Sequence, residues 1–573
     1  MRNAVTYDTI GNLLTEILYN AKGAIAEQND LAIGRKTVYT YDESGRLLRM
    51  LQPGYSDISP SYDVMNRVTG MQYRFAGQQQ NASFAYGADG RKGNATLLNG
   101  AQRTTTYDSL NRETAASIGA LSRTISYVNV SGNRTTTLPA SVIYTGNGNT
   151  LLNVSYTYDA VGNISTMVQD GVTYTYTYDS LNQLTAVATS DNSYTAAFSY
   201  DNGGNLTSKT INGQTYTYSY GDTEWKDLLT AYNGESITYD QIGNPLSYRG
   251  KTLTWTGRRL NTLTQNGSTN TYLYNADGIR TQKTVNGIAT EYFLNGSAIL
   301  AEKTGDTVTW FIYDDSGDVL GLIHNGTAYY YLKNQQGDVL KIVDDSGNVV
   351  GSYTYDAWGK VLSATGTIAE INPIRYRSYY YDAETGLYYL QSRYYDPEIG
   401  RFISADDTQY LGASGTALGY NLFGYCENNP VNYSDATGRF SISRWWLGLL
   451  LDTAIFLVAP YFAGPLDIIG NAISAIAARR GWVIGWNLLM NYAPRITGLF
   501  ARGMNAIVRV IYRVTGVYLS NLTGSLISYH LSKIFRTKAF DILSCFFSVG
   551  SMISGLMDFL DGRFDGRVVL WKS

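Results

Sequence analysis

Apolar and polar residues alternate with a period of two in many short stretches of this chain. In residues 173–178 Thr and Tyr alternate strictly, and residues 215–220 follow nearly the same pattern. Because successive side chains of a strand point to opposite faces, the alternation places the tyrosines on one face and the threonines on the other. Both residue types favour extended structure. The pattern therefore predicts β-strands.

The strand-like stretches end in a recurrent motif: Tyr-Asp, two variable residues, then Gly or Asn and a return to apolar residues. Residues 7–13, 158–164 and 200–206 are clear copies, and degenerate copies bring the spacing to about twenty residues over much of the array. Clear Tyr-Asp or Tyr-Asn steps begin at Tyr7, Tyr41, Tyr62, Tyr107, Tyr158, Tyr178, Tyr200, Tyr239, Tyr274, Tyr313, Tyr355, Tyr381 and Tyr395. The Asp can accept backbone N–H bonds as an Asx-turn, and the Gly or Asn can adopt positive φ. Each repeat is therefore predicted to be one hairpin of a long coiling sheet.

The composition agrees with a mainly β fold. The chain has 50 Tyr and 58 Gly, and only 16% of its residues are charged, against about 25% in typical soluble proteins. A repeat array buries its core between neighbouring units, so we expect no active site within a single repeat. The 2 His and 2 Cys are too few for a His/Cys metal site or a disulfide framework, and the sequence predicts no cofactor and no metal.

Residues 1–438 resemble the Tyr-Asp (YD) repeat proteins of the RHS and teneurin type. This resemblance implies a spiralling sheet of β-hairpins that closes into a hollow shell. Residues 379–406 contain two Tyr-Asp steps only 14 residues apart and resemble the RHS-associated core that closes the shell in the bacterial family. We therefore predict a YD-repeat β-shell over residues 1–370, an RHS-associated core over 371–438 and a separate tail over 439–573. Since the first residues enter the repeat at once, we expect a shell truncated at its N-terminus, with the export signal in a missing part.

Residues 420–440 resemble the last segment of the family. In toxin-bearing members this segment ends in Asp-Pro-x-Gly-Leu, where the shell cuts off its own tail by aspartyl-protease chemistry. Here residues 435–439 read Asp-Ala-Thr-Gly-Arg, so both the Pro and the Leu are replaced. Such chemistry needs two carboxylates that share a proton. The resemblance assigns this role to Asp406 and Asp435, with Asp407 as a less favoured substitute for Asp406.

The same resemblance places the cleavage near Gly438, Arg439 and Phe440. The structural alternative is that Asp435 only caps a turn and that Asp406 only ends a strand. Because two motif residues are replaced, the sequence favours this alternative over self-cleavage.

The tail differs chemically from the repeats. Residues 439–573 carry 14 Lys/Arg against 6 Asp/Glu, a net charge of +8, whereas residues 1–438 carry a net charge of −11. The apolar runs at 445–459 and 542–557 exceed the length of strands and predict helices. Both are marginal as membrane spans, which take about 20 apolar residues. Arginines between them suit either helices lying on an anionic membrane or the solvated face of a small bundle, and we favour the bundle slightly.

Together these features predict a secreted or cell-surface protein of the RHS type in bacterial competition. Its shell would encapsulate and deliver the tail as an effector, and membrane disruption is the activity that the tail's composition favours. The resemblance implies an immunity protein as a further partner. The alternative is a non-toxic surface protein that binds glycans or other cells, with the tail as anchor or plug. The charge of −11 in residues 1–438 disfavours nucleic-acid binding, which relies on Lys/Arg contacts to phosphate.

Overall fold

The computed structural model of the protein describes residues 2–7, 13–87, 90, 92–110, 112–131, 134–314, 316–412, 416–439 and 442–443. Within these ranges the chain is mainly β, as the sequence predicts, and its strands form two long antiparallel sheets. The helical tail that we predict lies outside the described residues. The three-part division at residues 370 and 438 stays a prediction.

The first sheet has 22 strands, and each strand pairs antiparallel with the next along the chain. Its strands are β1 (Arg2–Tyr7), β2 (Leu13–Tyr19), β3 (Ile25–Asp30), β4 (Arg35–Tyr41), β5 (Leu47–Gln52), β6 (Ser56–Tyr62), β7 (Val68–Phe75), β8 (Gln78–Tyr86), β9 (Lys92–Thr96), β10 (Gln102–Tyr107), β11 (Glu113–Ile118), β12 (Leu121–Ser131), β13 (Arg134–Gly146), β14 (Asn149–Tyr158), β15 (Ile164–Gln169), β16 (Val172–Tyr178), β17 (Leu184–Thr189), β18 (Thr195–Tyr200), β19 (Leu206–Ile211), β20 (Gln214–Ser219), β21 (Ala231–Tyr232) and β22 (Glu235–Ser236).

The second sheet has 14 strands in the same sequential order. Its strands are β23 (Thr238–Tyr239), β24 (Pro245–Tyr248), β25 (Lys251–Thr256), β26 (Arg259–Gln265), β27 (Ser268–Tyr274), β28 (Arg280–Val285), β29 (Ile288–Asn295), β30 (Ala298–Thr304), β31 (Thr307–Tyr313), β32 (Val319–His324), β33 (Thr327–Lys333), β34 (Val339–Asp344), β35 (Val349–Tyr355) and β36 (Val361–Thr365). Both sheets are open.

A compact segment of short elements follows the second sheet. It contains the helix α1 (Thr367–Ile371), a four-stranded sheet, a two-stranded pair and short 3₁₀ turns. The four strands are β37 (Tyr380–Asp382), β38 (Leu387–Leu390), β39 (Arg393–Asp396) and β40 (Arg401–Phe402), and the pair is β41 (Tyr433–Ser434) with β42 (Ile442–Ser443). The 3₁₀ turns are Tyr376–Ser378, Thr408–Tyr410, Leu418–Tyr420 and Cys426–Asn428. Among the described residues, no helix is both long enough and apolar enough to cross a bilayer.

The turn of the repeat motif has the predicted Asx geometry. In the copy between β14 and β15, Asp159 Oδ1 accepts the backbone N–H groups of Val161 at 3.0 Å and Asn163 at 2.8 Å. Asp159 Oδ2 accepts the side-chain amide of Asn163 at 3.0 Å, and Gly162 adopts a φ of 93°. A single carboxylate thus organises the whole loop, which explains why the motif requires Asp after the last strand residue.

The motif tyrosines link successive repeats through their hydroxyl groups. Tyr178 donates to the carbonyl of Ile164 at 2.8 Å, and Tyr200 donates to the carbonyl of Leu184 at 2.6 Å. Equivalent bonds are made by Tyr41, Tyr86, Tyr127, Tyr158, Tyr220, Tyr313 and Tyr355. These tyrosines therefore have a structural role, because their hydroxyl groups bond to the backbone of a neighbouring repeat.

The two sheets pack against each other through their apolar faces. Phe75 of the first sheet stacks on Phe293 of the second with ring centroids 5.2 Å apart. Trp310 Nε1 donates to Gln78 Oε1 at 2.8 Å, so polar bonds also join the sheets. The main core is therefore shared between distant parts of the chain, and each sheet depends on the other for burial.

Candidate functional site

Residues 376–439, here called the terminal segment, dock on the repeat turns of the first sheet. Asn429 Nδ2 donates to Asn163 Oδ1 at 3.2 Å, and Asn428 Nδ2 donates to Gln183 Oε1 at 2.9 Å. Asn163 and Gln183 are each the last residue of a YD turn. The terminal segment therefore contacts the turns of adjacent repeats through hydrogen bonds between side-chain amides. These turns fix its position along the sheet.

The terminal segment also docks on the second sheet, through a buried ionic cluster. Asp382 accepts two bonds from the guanidinium of Arg280, at 2.6 and 2.9 Å, and one from Lys283 Nζ at 2.9 Å. The Arg280 guanidinium also lies 4.2 Å from the ring centroid of Tyr389. The cluster holds β37 and β38 against β28, so the terminal segment is anchored on both sides.

The two predicted catalytic carboxylates meet at one guanidinium near the end of the terminal segment. Arg393 Nη2 lies 2.9 Å from Asp406 Oδ2 and 3.7 Å from Asp435 Oδ2. The guanidinium also lies 3.5 Å from the ring centroid of Phe402, and Nη1 donates to the carbonyl of Leu422 at 2.8 Å. The structure thus brings together residues that are separated by 29 positions along the chain.

Arg393 is a residue of this site that is not among those predicted from the sequence. One signal was available: a charged residue stands in the apolar and aromatic stretch 387–395. A charge in a stretch of core-forming residues needs buried partners of opposite charge. Asp406 and Asp435, which Arg393 contacts, are such partners.

Burial controls the electrostatics of this cluster. It raises the pKa of Asp406 to about 6, against the opposing effect of Arg393, and it raises the pKa of Asp435 in the same direction. Burial also lowers the pKa of Arg393, although the two carboxylates oppose that shift. Asp406 is therefore able to exchange a proton close to neutral pH, which acid–base chemistry requires.

Asp435 also caps the turn that ends the terminal segment. Its Oδ1 accepts the backbone N–H groups of Thr437 at 3.2 Å, Gly438 at 2.8 Å and Arg439 at 3.1 Å. Asp435 Oδ1 therefore caps a turn, and Oδ2 faces Arg393 at 3.7 Å; whether capping is its only role stays a prediction. Gly438 has a φ of 73°, and an added Cβ would lie 2.7 Å from the carbonyl oxygen of Leu390, so this position requires glycine.

The strand-ending interpretation of Asp406 is wrong, because Asp406 lies beyond the end of β40 in an irregular stretch. Its backbone N–H donates to the carbonyl of Leu422 at 2.9 Å. Asp407, the predicted substitute, contributes its backbone N–H to Asp406 Oδ1 at 2.8 Å. Of the predicted cleavage positions, Gly438 and Arg439 are described, whereas Phe440 lies outside the described residues.

Three comparisons place this chain among known proteins. The family model Teneurin YD-shell matches residues 113–431. The tRNA nuclease WapA of Bacillus subtilis (strain 168) is 34% identical over 221 residues, which is 37% of this chain and 9% of that protein. The toxin protein Tse5 of Pseudomonas aeruginosa is 37% identical over 98 residues, which is 17% of this chain and 7% of that protein.

A crystal structure of TcdB2-TccC3-Cdc42 superposes with a TM-score of 0.52 at 19% identity, over 76% of this chain and 28% of that one. This match shows the fold alone. The matched part of the chain spans less than a tenth of the length of the curated relatives WapA and Tse5. The resemblance to the RHS and teneurin type is confirmed. Since the family model covers more than half of its residues, the chain belongs to the teneurin YD-shell family.

Proposed function

We propose that this chain is a YD-shell that encapsulates residues 439–573 as an effector and delivers them to another cell in bacterial competition. The observation that carries the proposal is the burial of the terminal segment against both sheets up to the start of the tail. Only 1% of Asp435 is exposed, and Gly438 is buried. The chain is therefore held against the described part of the protein up to the residue before the tail, as an encapsulated tail would require. The names of the relatives WapA and Tse5, a tRNA nuclease and a toxin, support an effector role.

For the effector itself we propose membrane disruption. The support is the tail's net charge of +8 together with its two long apolar runs, since cationic, apolar helices bind anionic bilayers. A shell suits such a cargo because it separates apolar helices from water and from the membranes of the producing cell. The proposal includes a secreted or cell-surface location and an immunity protein that protects the producing cell.

Growth assays test the effector proposal. Bacteria producing residues 440–573 alone, with and without a signal for export to the periplasm, are compared with bacteria producing the full chain or residues 1–438. We expect growth arrest only in bacteria that produce the isolated tail. We also expect the purified tail to cause leakage from anionic vesicles but not from neutral vesicles. Normal growth in both compartments would remove the toxin interpretation. Glycan binding by residues 1–438 would then favour the non-toxic surface protein.

We also propose that Asp406 and Asp435 release the tail by self-cleavage. Their shared contact with Arg393 and the raised pKa of Asp406 support this proposal. Intact mass measurement of the purified full chain during incubation should reveal a fragment that starts near Arg439. The variants D406N and D435N should remain whole. A full chain that stays intact after long incubation contradicts the proposal.

A further inference from the structure

The ionic cluster between the second sheet and the terminal segment contains two carboxylates besides that of Asp382. The carboxylate of Glu384 contacts Lys283 Nζ at 2.9 and 3.0 Å. Glu302 of β30 lies beside the cluster, and its Oε2 accepts the hydroxyl of Tyr380 at 2.6 Å. Three carboxylates therefore share one interface between the second sheet and the terminal segment.

A chain of hydroxyl groups connects Glu302 to the guanidinium of the cluster. Arg280 Nη2 donates to the hydroxyl of Tyr292 at 3.2 Å, and that hydroxyl donates to the hydroxyl of Tyr380 at 3.3 Å. Tyr380 donates in turn to Glu302. Because each hydroxyl has a single proton to donate, the carboxylate of Glu302 is the acceptor at the end of the chain. A proton on Glu302 therefore changes the hydrogen bonding of the interface as well as its charge.

The charges of the cluster do not balance when all of its carboxylates are ionised. It contains two cations and three carboxylates, namely Arg280, Lys283, Asp382, Glu384 and Glu302. One negative charge is thus in excess. An uncompensated charge is costly among buried groups, and neither Arg280 nor Asp382 has any exposed surface. A single proton bound to one carboxylate removes the excess.

Glu302 is the carboxylate that can bind this proton without loss of an ion pair. Asp382 is bonded to both cations of the cluster, and Glu384 makes two contacts with Lys283. Glu302 instead accepts its hydrogen bond from a neutral hydroxyl group. Protonation of Glu302 therefore leaves every salt bridge of the cluster in place.

Burial acts on Glu302 in the same direction. It raises the pKa of Glu302, against the opposing effects of the Tyr380 hydrogen bond and of the two cations. The charged and titratable groups near Glu302 come from four strands: Arg280 and Lys283 of β28, Tyr292 of β29, Tyr331 of β33, and Tyr380 and Asp382 of β37. The neutral form of Glu302 is therefore favoured by its surroundings when the terminal segment is docked.

We propose that Glu302 makes the docking of the terminal segment on the second sheet dependent on pH. Docking binds one proton at Glu302, and undocking returns this proton to water. The proposal concerns how firmly the protein holds β37 and β38, and it depends neither on the activity of the tail nor on its cleavage.

The sign of the pH dependence follows from linkage. The contribution of Glu302 is fully present below pH 4.5, the ordinary pKa of this group, and is lost as the pH rises through the raised pKa. Asp382 acts in the opposite sense, because Arg280 and Lys283, against burial, hold its pKa below the ordinary 3.8. Its contribution is lost only as the pH falls below 3.8. The terminal segment is therefore held most firmly in mildly acidic solution.

Hydrogen exchange of the full chain measures the docking directly. Exchange of the backbone amides of residues 380–390 is followed by mass spectrometry from about pH 4 to about pH 9, and each rate is divided by that of the unfolded chain at the same pH. We expect the protection to fall as the pH rises, by at most about tenfold per pH unit, the limit for the release of one proton. Constant protection over this range overturns the proposal.

Three variants locate the proton. E302Q keeps an acceptor for Tyr380 but cannot ionise, so its protection should be the same throughout this range. Y380F removes a hydrogen bond that favours the ionised form, so the loss of protection should begin at a higher pH than in the wild type. E27Q, the same substitution in the exposed ion pair with Lys36, should behave like the wild type. A wild-type pH dependence in E302Q overturns the role of Glu302.

The effect of Asp406 has to be separated from that of Glu302, because burial raises the pKa of both groups. D406N should keep the wild-type pH dependence of protection in residues 380–390, and its disappearance in D406N contradicts the proposal. If E302Q does not fold, Y380F decides the question. Loss of protection at a higher pH than in the wild type supports the proposal, and an unchanged pH dependence in Y380F overturns it.

Discussion

Arg280 and Asp382 form a two-bonded ion pair, at 2.6 and 2.9 Å, in which neither side chain has any exposed surface. The two residues are 102 positions apart and join the second sheet to the terminal segment. Buried ions are expensive to desolvate, and a buried pair is stable only when its geometry satisfies both partners. Here Lys283 also contacts the Asp382 carboxylate, at 2.9 Å, and adds a second cation to it.

Removal of one partner should therefore destabilise the protein strongly. We expect D382A to lower the free energy of unfolding by about 3–5 kcal/mol, because it leaves the Arg280 charge buried and uncompensated. The matched control is E27A, which removes the partner of Lys36 in an ion pair whose side chains are 34% and 45% exposed. It should change stability by less than about 1 kcal/mol. Urea unfolding of both variants checks the prediction, and equal midpoints would contradict it.

The hydroxyl of Tyr178 should contribute more to the stability of the protein than a buried tyrosine hydroxyl that makes no hydrogen bond. It donates to the carbonyl of Ile164 at 2.8 Å and accepts from Asn432 Nδ2 at 3.0 Å. We expect Y178F to lower the free energy of unfolding by about 1–3 kcal/mol, the range for leaving buried partners unsatisfied.

Tyr194 supplies the control for this prediction. Within the part of the chain that the structure describes, its buried hydroxyl has no hydrogen-bond partner. Y194F should therefore be neutral or slightly stabilising. Thermal or urea unfolding of Y178F, Y194F and the wild type measures both effects. A loss of stability in Y194F as large as in Y178F would show that the bond to Ile164 is not the source of the effect.

Two glycines in equivalent turns should respond differently to a methyl group. Gly162 and Gly243 both precede the last residue of a YD turn, with φ of 93° and 82°. A Cβ on Gly162 would meet no atom within 4 Å, whereas one on Gly243 would lie 2.7 Å from Ala405 Cβ and 2.8 Å from Trp225 Cη2. In both Ala variants the positive φ should lower the free energy of unfolding by about 1–2 kcal/mol.

G243A should lose a further 1–3 kcal/mol or so from overpacking. Because Ala405 precedes Asp406, we also expect the strain to loosen the terminal segment and to speed its digestion by a protease. Urea unfolding and limited proteolysis of both variants measure the difference. Identical behaviour of G162A and G243A would contradict the close contact with Ala405.

The sequence predicts those parts of the fold that depend on neighbouring residues. The Asx-turn at residues 159–163 can be predicted from the sequence because all of its contacts are made within five consecutive residues. The strands follow from alternation, as in 173–178. In one repeat Trp255 stands where other copies have the motif tyrosine, and its indole Nε1 donates to the carbonyl of Pro245 at 2.7 Å in place of the tyrosine hydroxyl.

Contacts between distant residues could not be predicted in this way. The bond between Asn429 and Asn163 spans 266 positions, and nothing in either local sequence specifies the other. The same holds for Arg393, whose partners lie in separate irregular stretches. Resemblance to the family supplied Asp406 and Asp435, but only packing in three dimensions shows that a cation lies between them.

The protonation of Asp406 should make the stability of the protein depend on pH. Burial raises its pKa from 3.8 to about 6, so the folded protein binds this proton more tightly than the unfolded chain does. Stability from this group is fully present below pH 3.8 and is lost as the pH rises through about 6. The total loss is about 3 kcal/mol, since one pKa unit corresponds to about 1.4 kcal/mol.

In the variant D406N the side chain at position 406 cannot ionise. Its pH-dependent contribution to the free energy of unfolding is therefore absent. The difference in unfolding free energy between wild type and D406N should therefore shift against the wild type from about pH 4 to about pH 6 and then stay constant. Urea unfolding at half-unit pH intervals measures this difference. The control is D344N, in an exposed Asx-turn that follows Val343, where the carboxyl of Asp344 has a lowered pKa. The stability difference between wild type and D344N should change with pH in the opposite direction, because a group with a lowered pKa contributes stability that is lost as the pH falls. A difference for D406N that favours the wild type as the pH rises would mean that Arg393, and not burial, determines the protonation of Asp406.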